Sequence, residues 1–189
     1  MSTSHASPET ATPQALSVQP VPSLWLRPWL LPVPVALLLA GVDQLTKVAI
    51  IRDIPLGGQV VIVPGFLHLV HLRNTGAAWS LFEGYTGVLS LLSIVVVGAI
   101  LLRFRALAEG SRARAICLSL LLGGVLGNLV DRVFRGEVVD FVLFFYRSWR
   151  WPAFNVADTA ISCSVAVFVL LSMLRSEASQ SGDHPPAAP

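Results

Sequence analysis

The chain has 189 residues, 54% of them hydrophobic and only 13% charged, with a formal net charge of +2. A soluble domain carries about 25% charged residues, so this composition, with a mean hydropathy of +0.70, excludes an ordinary water-soluble globule and identifies a membrane protein.

Residues 1–24, rich in Ser, Thr, Pro, Ala and Gln, are expected to form a disordered cytoplasmic tail. A single membrane domain follows over residues 25–175, with spans expected at about 28–50, 84–102, 115–131 and 157–174. The first span follows the tail, lacks a small-residue cleavage site and continues into Asp43 and Lys47, so it is a retained helix rather than a secretory leader. Between Ile51 and Leu72, β-branched residues broken by Pro64 and Gly65 predict a small hairpin on the membrane surface. His68 and His71 lie here without a cysteine or carboxylate motif, and three-residue spacing on a strand turns them to opposite sides, which argues against a metal site.

NTGAAWS, residues 74–80, carries small residues that let backbone approach a ligand; helix packing alone would also explain Gly76, Ala77 and Ala78. Beyond the second span, Arg103, Arg105, Arg112 and Arg114 crowd one short connection, which the positive-inside rule places in the cytoplasm together with both termini. Arginine and lysine elsewhere weaken that assignment without reversing it. FVLFFYRSWRWPAFN, residues 141–155, then reads either as an aromatic interfacial anchor or as a mobile flap. Residues 176–189 form the second expected tail. Cys117 and Cys163 fall inside spans and are expected to pack rather than pair.

A crossing helix needs about 20 mainly apolar residues, and the uncharged runs Pro28 to Val42, Ala115 to Val130 and Thr159 to Leu174 are all shorter. Their flanks, including Asp43, Asp131 and Asp158, must therefore enter the membrane. Carboxylates there are costly and usually functional. With four spans, parity brings Asp43, Asp131, Asp140 and Asp158 to one membrane face with Asn74, Asn128, Arg132 and Asn155.

Serine, zinc and cysteine mechanisms lack their motifs, leaving the carboxylates. Two held close retain one proton between them, giving a base to activate water and an acid for the leaving group. Asp131, next to Arg132, could be a structural ion pair, and Asp43 has Lys47 one turn on. Apolar neighbours around Asp140 favour its neutral form, while Asp158 opens a helix whose dipole suits a carboxylate, although it could equally be an ordinary N-cap. A small transporter or proton channel, or a non-catalytic scaffold, remain as rivals. A conduction path would need polar stations through the full thickness, whereas these crowd one face.

DQLTK (43–47), NTGAAWS (74–80), GGVLGNLVDRVFRGEVVDF (123–141) and FNVADTAI (154–161) resemble the ordered motifs of the lipoprotein signal peptidases, or signal peptidase II. The resemblance implies a mainly α membrane protein with four transmembrane helices, a small periplasmic β-cradle and an amphipathic periplasmic helix, set in the bacterial inner membrane with its active site on the periplasmic side. It implies catalysis by Asp140 and Asp158, substrate binding by Asn74, Asn128, Arg132 and Asn155, and support from Asp43, Lys47, Asp131 and Gly76. The expected partners are diacylglyceryl-prolipoproteins, cut before the lipid-modified cysteine, and membrane lipid. No metal, cofactor or nucleic acid is expected, and the chain is read as a monomer.

Overall fold

The computed structural model describes residues 32–76 and 82–181. The tail read over residues 1–24 and the AAWS of the NTGAAWS motif lie outside them. Four helices are long and apolar enough to cross a membrane: α1 (Pro32–Asp53), α2 (Thr86–Ala108), α3 (Arg112–Arg135) and α4 (Val156–Ser181). Four strands complete the fold, β1 (Gln59–Val63) and β2 (Leu67–Asn74) after α1, and β3 (Val138–Tyr146) and β4 (Trp149–Arg150) after α3.

Helix α3 is the hub, packed against each of the other three. Its glycines make this possible. A Cβ built on Gly123 would sit 2.7 Å from the Ala36 carbonyl oxygen of α1, and one on Gly124 would sit 2.7 Å from the Ala157 carbonyl oxygen of α4. Only hydrogen fits where backbones approach that closely. On the outer faces Leu38, Leu45, Leu91, Val95, Leu102 and Leu170 are exposed, as a lipid-facing surface requires.

The buried face of α1 follows helical spacing through Ala36, Asp43, Lys47 and Ile50. Two of these are charged and buried deep in the stripe that meets α3. Helix α3 ends at Gly136, whose φ of 78° is left-handed backbone that glycine accepts without strain, and the chain turns directly into β3.

The sheet is antiparallel in the order β1-β2-β3-β4. The hairpin expected between Ile51 and Leu72 is β1 and β2, with a bulge between Val61 and Val63. The aromatic run of residues 141–155 begins within a strand. Residues 138–146 form a strand paired to β2, with Leu72 opposite Asp140 and Asn74 opposite Val138. Val, Phe and Tyr in series favour a pleated, half-buried surface, and Tyr146, Trp149 and Trp151 remain exposed at its far end. Among the described residues no helix lies outside the four spans, so the amphipathic periplasmic helix implied by the resemblance is not found there.

Two further expectations change. Helix α4 runs to Ser181, into the stretch read as tail, because Glu177, Ala178 and Gln180 are good helix formers. Cys117 is buried, but Cys163 is exposed on the face of α4 that lines a groove.

Candidate active site

Asp140 lies on β3 and Asp158 in the first turn of α4, and one residue joins them. The Asn155 amide donates from Nδ2 to Asp140 Oδ1 at 2.7 Å, while its Oδ1 accepts from the Asp158 backbone N–H at 2.9 Å. In return the Asn155 backbone N–H donates to Asp158 Oδ2 at 3.3 Å. This is a reciprocal cap of α4, with Asn155 as the cap and Asp158 three residues in. Asp158 is therefore not the N-cap itself, and its second oxygen is left to face the site.

That oxygen, Oδ1, accepts from Asn128 Nδ2 at 2.7 Å. Asp140 Oδ2 accepts from Asn74 Nδ2 at 3.0 Å. Asn74 is oriented in turn by the Gly76 N–H, which donates to its Oδ1 at 2.9 Å and leaves the amide nitrogen turned to Asp140. Arg132 reaches the same place from α3 and donates to the Gly76 carbonyl oxygen at 3.2 Å. Its buried Nε has no partner among the described residues.

Asp140 is 3% exposed. Burial pushes its carboxyl up to about 7 and the nearby Asp158 charge adds to the rise, against the opposing pull of the Asn74 and Asn155 amides and the Lys47 charge. A raised carboxyl pKa means the folded state holds its proton longer than the unfolded chain. Stability from this group accordingly falls as pH rises from about 4 towards 7, the signature of a carboxylate placed for chemistry rather than for folding.

Behind the pair lies a second cluster. Lys47 is wholly buried and pairs with Asp43 Oδ2 at 2.8 Å and Asp131 Oδ2 at 2.7 Å, both of them wholly buried as well. Asp131 is a structural ion-pair residue, but its partners are Lys47 and Arg135 rather than the adjacent Arg132, because adjacent helical residues diverge while residues four apart share a face. Gln44 and Arg135 complete the cluster. Gln44 Nε2 donates to Asp131 Oδ1 and to the Gly127 carbonyl oxygen, both at 3.0 Å, and Arg135 donates to Gln44 Oε1 at 2.8 Å. The spacing of Asp131 and Arg135 on α3 was the available signal.

His68 and His71 take no part. His68 faces Gln59 at the surface, and buried His71 Nδ1 stands 2.9 Å from the Ile54 carbonyl oxygen.

The cluster is packed tightly enough to be tested sterically. A Cβ on Gly127 would fall 2.6 Å from Asp43 Oδ2. We expect Gly127→Ala to cost about 1–3 kcal/mol, as overpacking does. Gly98→Ala on α2, where a Cβ meets nothing within 4 Å, should be neutral or slightly stabilising. Thermal unfolding of both variants in detergent checks the contrast.

A groove of about 850 Å³ opens beside Asp158, with Asn74, Gly76, Asn128, Arg132 and Asp158 among its lining residues, while Asp140 and Asn155 are not part of that lining. The rest is mostly apolar, with Leu89, Leu92 and Val96 from α2, Val125 from α3 and Ile161 from α4. Phe66, Phe144 and Phe154 stack over one side, at ring separations of 5.2 and 5.8 Å. Such a groove accepts an extended apolar chain and presents a few polar groups at one point along it.

A family model described as Signal peptidase (SPase) II matches residues 35–174. A lipoprotein signal peptidase of Listeria monocytogenes serotype 4b is 39% identical over 136 residues, covering 72% of this chain and 88% of that protein. One from Serratia marcescens is 43% identical over 148 residues, covering 77% and 86%. Two solved bacterial membrane enzymes, both determined by the in meso method, share the fold. One has a TM-score of 0.72 at 28% identity and covers 84% of this chain and 94% of its own. The other has a TM-score of 0.66 at 31% identity, with coverage of 76% and 92%.

Proposed function

Since the chain belongs to the signal peptidase II family, a family of membrane proteases, we propose that it removes signal peptides from prolipoproteins, cutting before a diacylglyceryl-modified cysteine with Asp140, Asp158 and water. The observation that carries this reading is the pair of carboxylates joined through Asn155, with Asp158 lining a mostly apolar groove and Asp140 bonded to the groove-lining Asn74.

The signal peptide lies along the groove with its scissile carbonyl at Asp158, and the lipid chains of the modified cysteine stay in the bilayer. The pair shares one proton and titrates as a unit; we assign the resting proton to Asp140, whose carboxyl is raised by burial on β3. Water attacks the carbonyl carbon and gives a proton to Asp158, while Asp140 donates a hydrogen bond to the carbonyl oxygen. The carbon–nitrogen bond then breaks, and the nitrogen of the modified cysteine leaves as an amine with the proton from the pair. Arg132 and Asn128, lining the groove, supply donors for substrate carbonyls and for the charge that develops. Only side chains and water act. The working unit is a single chain in the inner membrane, with its site on the periplasmic side and its termini in the cytoplasm. The arginines of the short connection between α2 and α3 support that orientation.

The test is reconstitution in liposomes with a diacylglyceryl-modified prolipoprotein. Mass spectrometry should find a product beginning at the modified cysteine. Ion flux without cleavage would favour the transport reading instead.

A pH profile tests the proton assignment. We expect kcat/KM to fall as pH rises through about 7, where Asp140 loses its proton. Asn74 stabilises the ionised form of Asp140, so Asn74→Ala should move this alkaline limb to higher pH. An unmoved limb would assign it to another group.

A further inference from the structure

A lysine ammonium has three protons to donate, and wholly buried Lys47 has an acceptor for each: Asp43 Oδ2 at 2.8 Å, Asp131 Oδ2 at 2.7 Å and Asn128 Oδ1 at 3.0 Å. Each acceptor leads onward to the reacting pair. Asp43 Oδ1 accepts the backbone N–H of Ala157 at 2.9 Å, one residue before Asp158. Asp131 Oδ2 accepts the backbone N–H of Val139 at 3.2 Å, one residue before Asp140. Asn128, its oxygen held by Lys47, has only its amide nitrogen left to offer Asp158 Oδ1, at 2.7 Å.

We propose that Lys47 is a positioning residue that sets the spacing of Asp140 and Asp158, by tying the backbone ahead of each to one point on α1 and by fixing the amide of Asn128. The assignment rests on the reading of Asp140 and Asp158 as the reacting pair. Those two residues stand on a strand and a helix, joined in sequence through the rest of β3, β4 and Asn155. Three buried charges are a poor way to gain stability, since well-packed apolar residues commonly do as well. What they provide here is a fixed distance between two separate elements, and misplacement by about 1 Å can cost about 100-fold in rate.

The test uses the full chain in detergent with a diacylglyceryl-modified prolipoprotein, and activity is measured per folded molecule. The double change Lys47→Met with Asp43→Asn removes one positive and one negative charge together, and the amide oxygen introduced at position 43 still accepts the Ala157 N–H. Lys47→Arg is the second variant: it keeps the charge, but its planar fork cannot converge three donors on one point. For each we expect KM within about threefold of wild type, because the apolar wall of the groove is untouched and Asn128 is its one lining residue that Lys47 holds, and kcat lower by about 100-fold for the double change and about tenfold for Lys47→Arg.

A folded variant that keeps wild-type kcat overturns the proposal, as does a loss of activity that only tracks a loss of folded protein. If the double change does not fold, Lys47→Arg decides, and failure of both to fold makes Lys47 a folding residue and overturns the assignment too. Asp140→Asn and Asp158→Asn run alongside. If they stay active, the reading of the pair has failed; if they are inactive while the Lys47 variants are not, only the positioning role has.

Discussion

Asp140→Asn and Asp158→Asn should each lower kcat by about 1,000-fold, within the range that proton transfer by a placed side chain supplies. KM should change little, because the surface that binds the signal peptide is mainly the apolar wall of the groove. The fold should also survive. Asparagine is nearly the same shape as aspartate, and at Asp140 it removes a charge that burial disfavours. At neutral pH the charge removed at Asp140 offsets the mismatch of the new amide nitrogen with Asn74 or Asn155 Nδ2, so Asp140→Asn is expected to melt close to wild type. Loss of turnover without loss of stability separates a reacting group from a structural one, and assays of cleavage and unfolding on the same preparation show both.

Asp131→Ala should behave in the opposite way. Asp131 is wholly buried and holds Lys47, Gln44, Arg135 and the Val139 N–H. Truncating it leaves Lys47 with one carboxylate where it had two, and Val139 with an unpaired N–H. Removing one partner of a buried ion pair costs about 3–5 kcal/mol, and the loss should appear as a large drop in unfolding temperature. Asp131→Asn keeps an acceptor for Val139 and should cost less. The Arg52–Asp53 pair, whose side chains are 75% and 55% exposed, provides the comparison: Asp53→Ala should leave stability unchanged.

The end of the bundle at which the polar residues gather was legible in the chain, because uncharged runs shorter than the bilayer draw their charged flanks into the spans and parity then assigns those flanks to one face. The hairpin after α1 was legible too, from β-branched residues interrupted at Pro64 and Gly65. Other features depend on tertiary contact and leave no local trace. The pairing of β3 with β2 comes from residues distant in sequence, such as Leu72 with Asp140, so the aromatic run on β3 could be read only as a surface segment. Asn155 as the link between two carboxylates required knowing that α4 starts at Val156. Lys47 offered its helical neighbour Asp43 to sequence reasoning, but its second carboxylate lies on α3 and its third partner, Asn128, one turn away from that. Asp131 is the instructive case. Its neighbour Arg132 drew attention by adjacency, whereas the four-residue spacing to Arg135 carried the contact.

Proton sharing between Asp140 and Asp158 can be read directly by infrared difference titration of the membrane-embedded protein. The account predicts one protonated carboxyl stretch that disappears as pH rises through about 7 and is missing from Asp140→Asn. The same band persisting unchanged in Asp140→Asn, or no carboxyl titrating in that range in the wild-type protein, would contradict it.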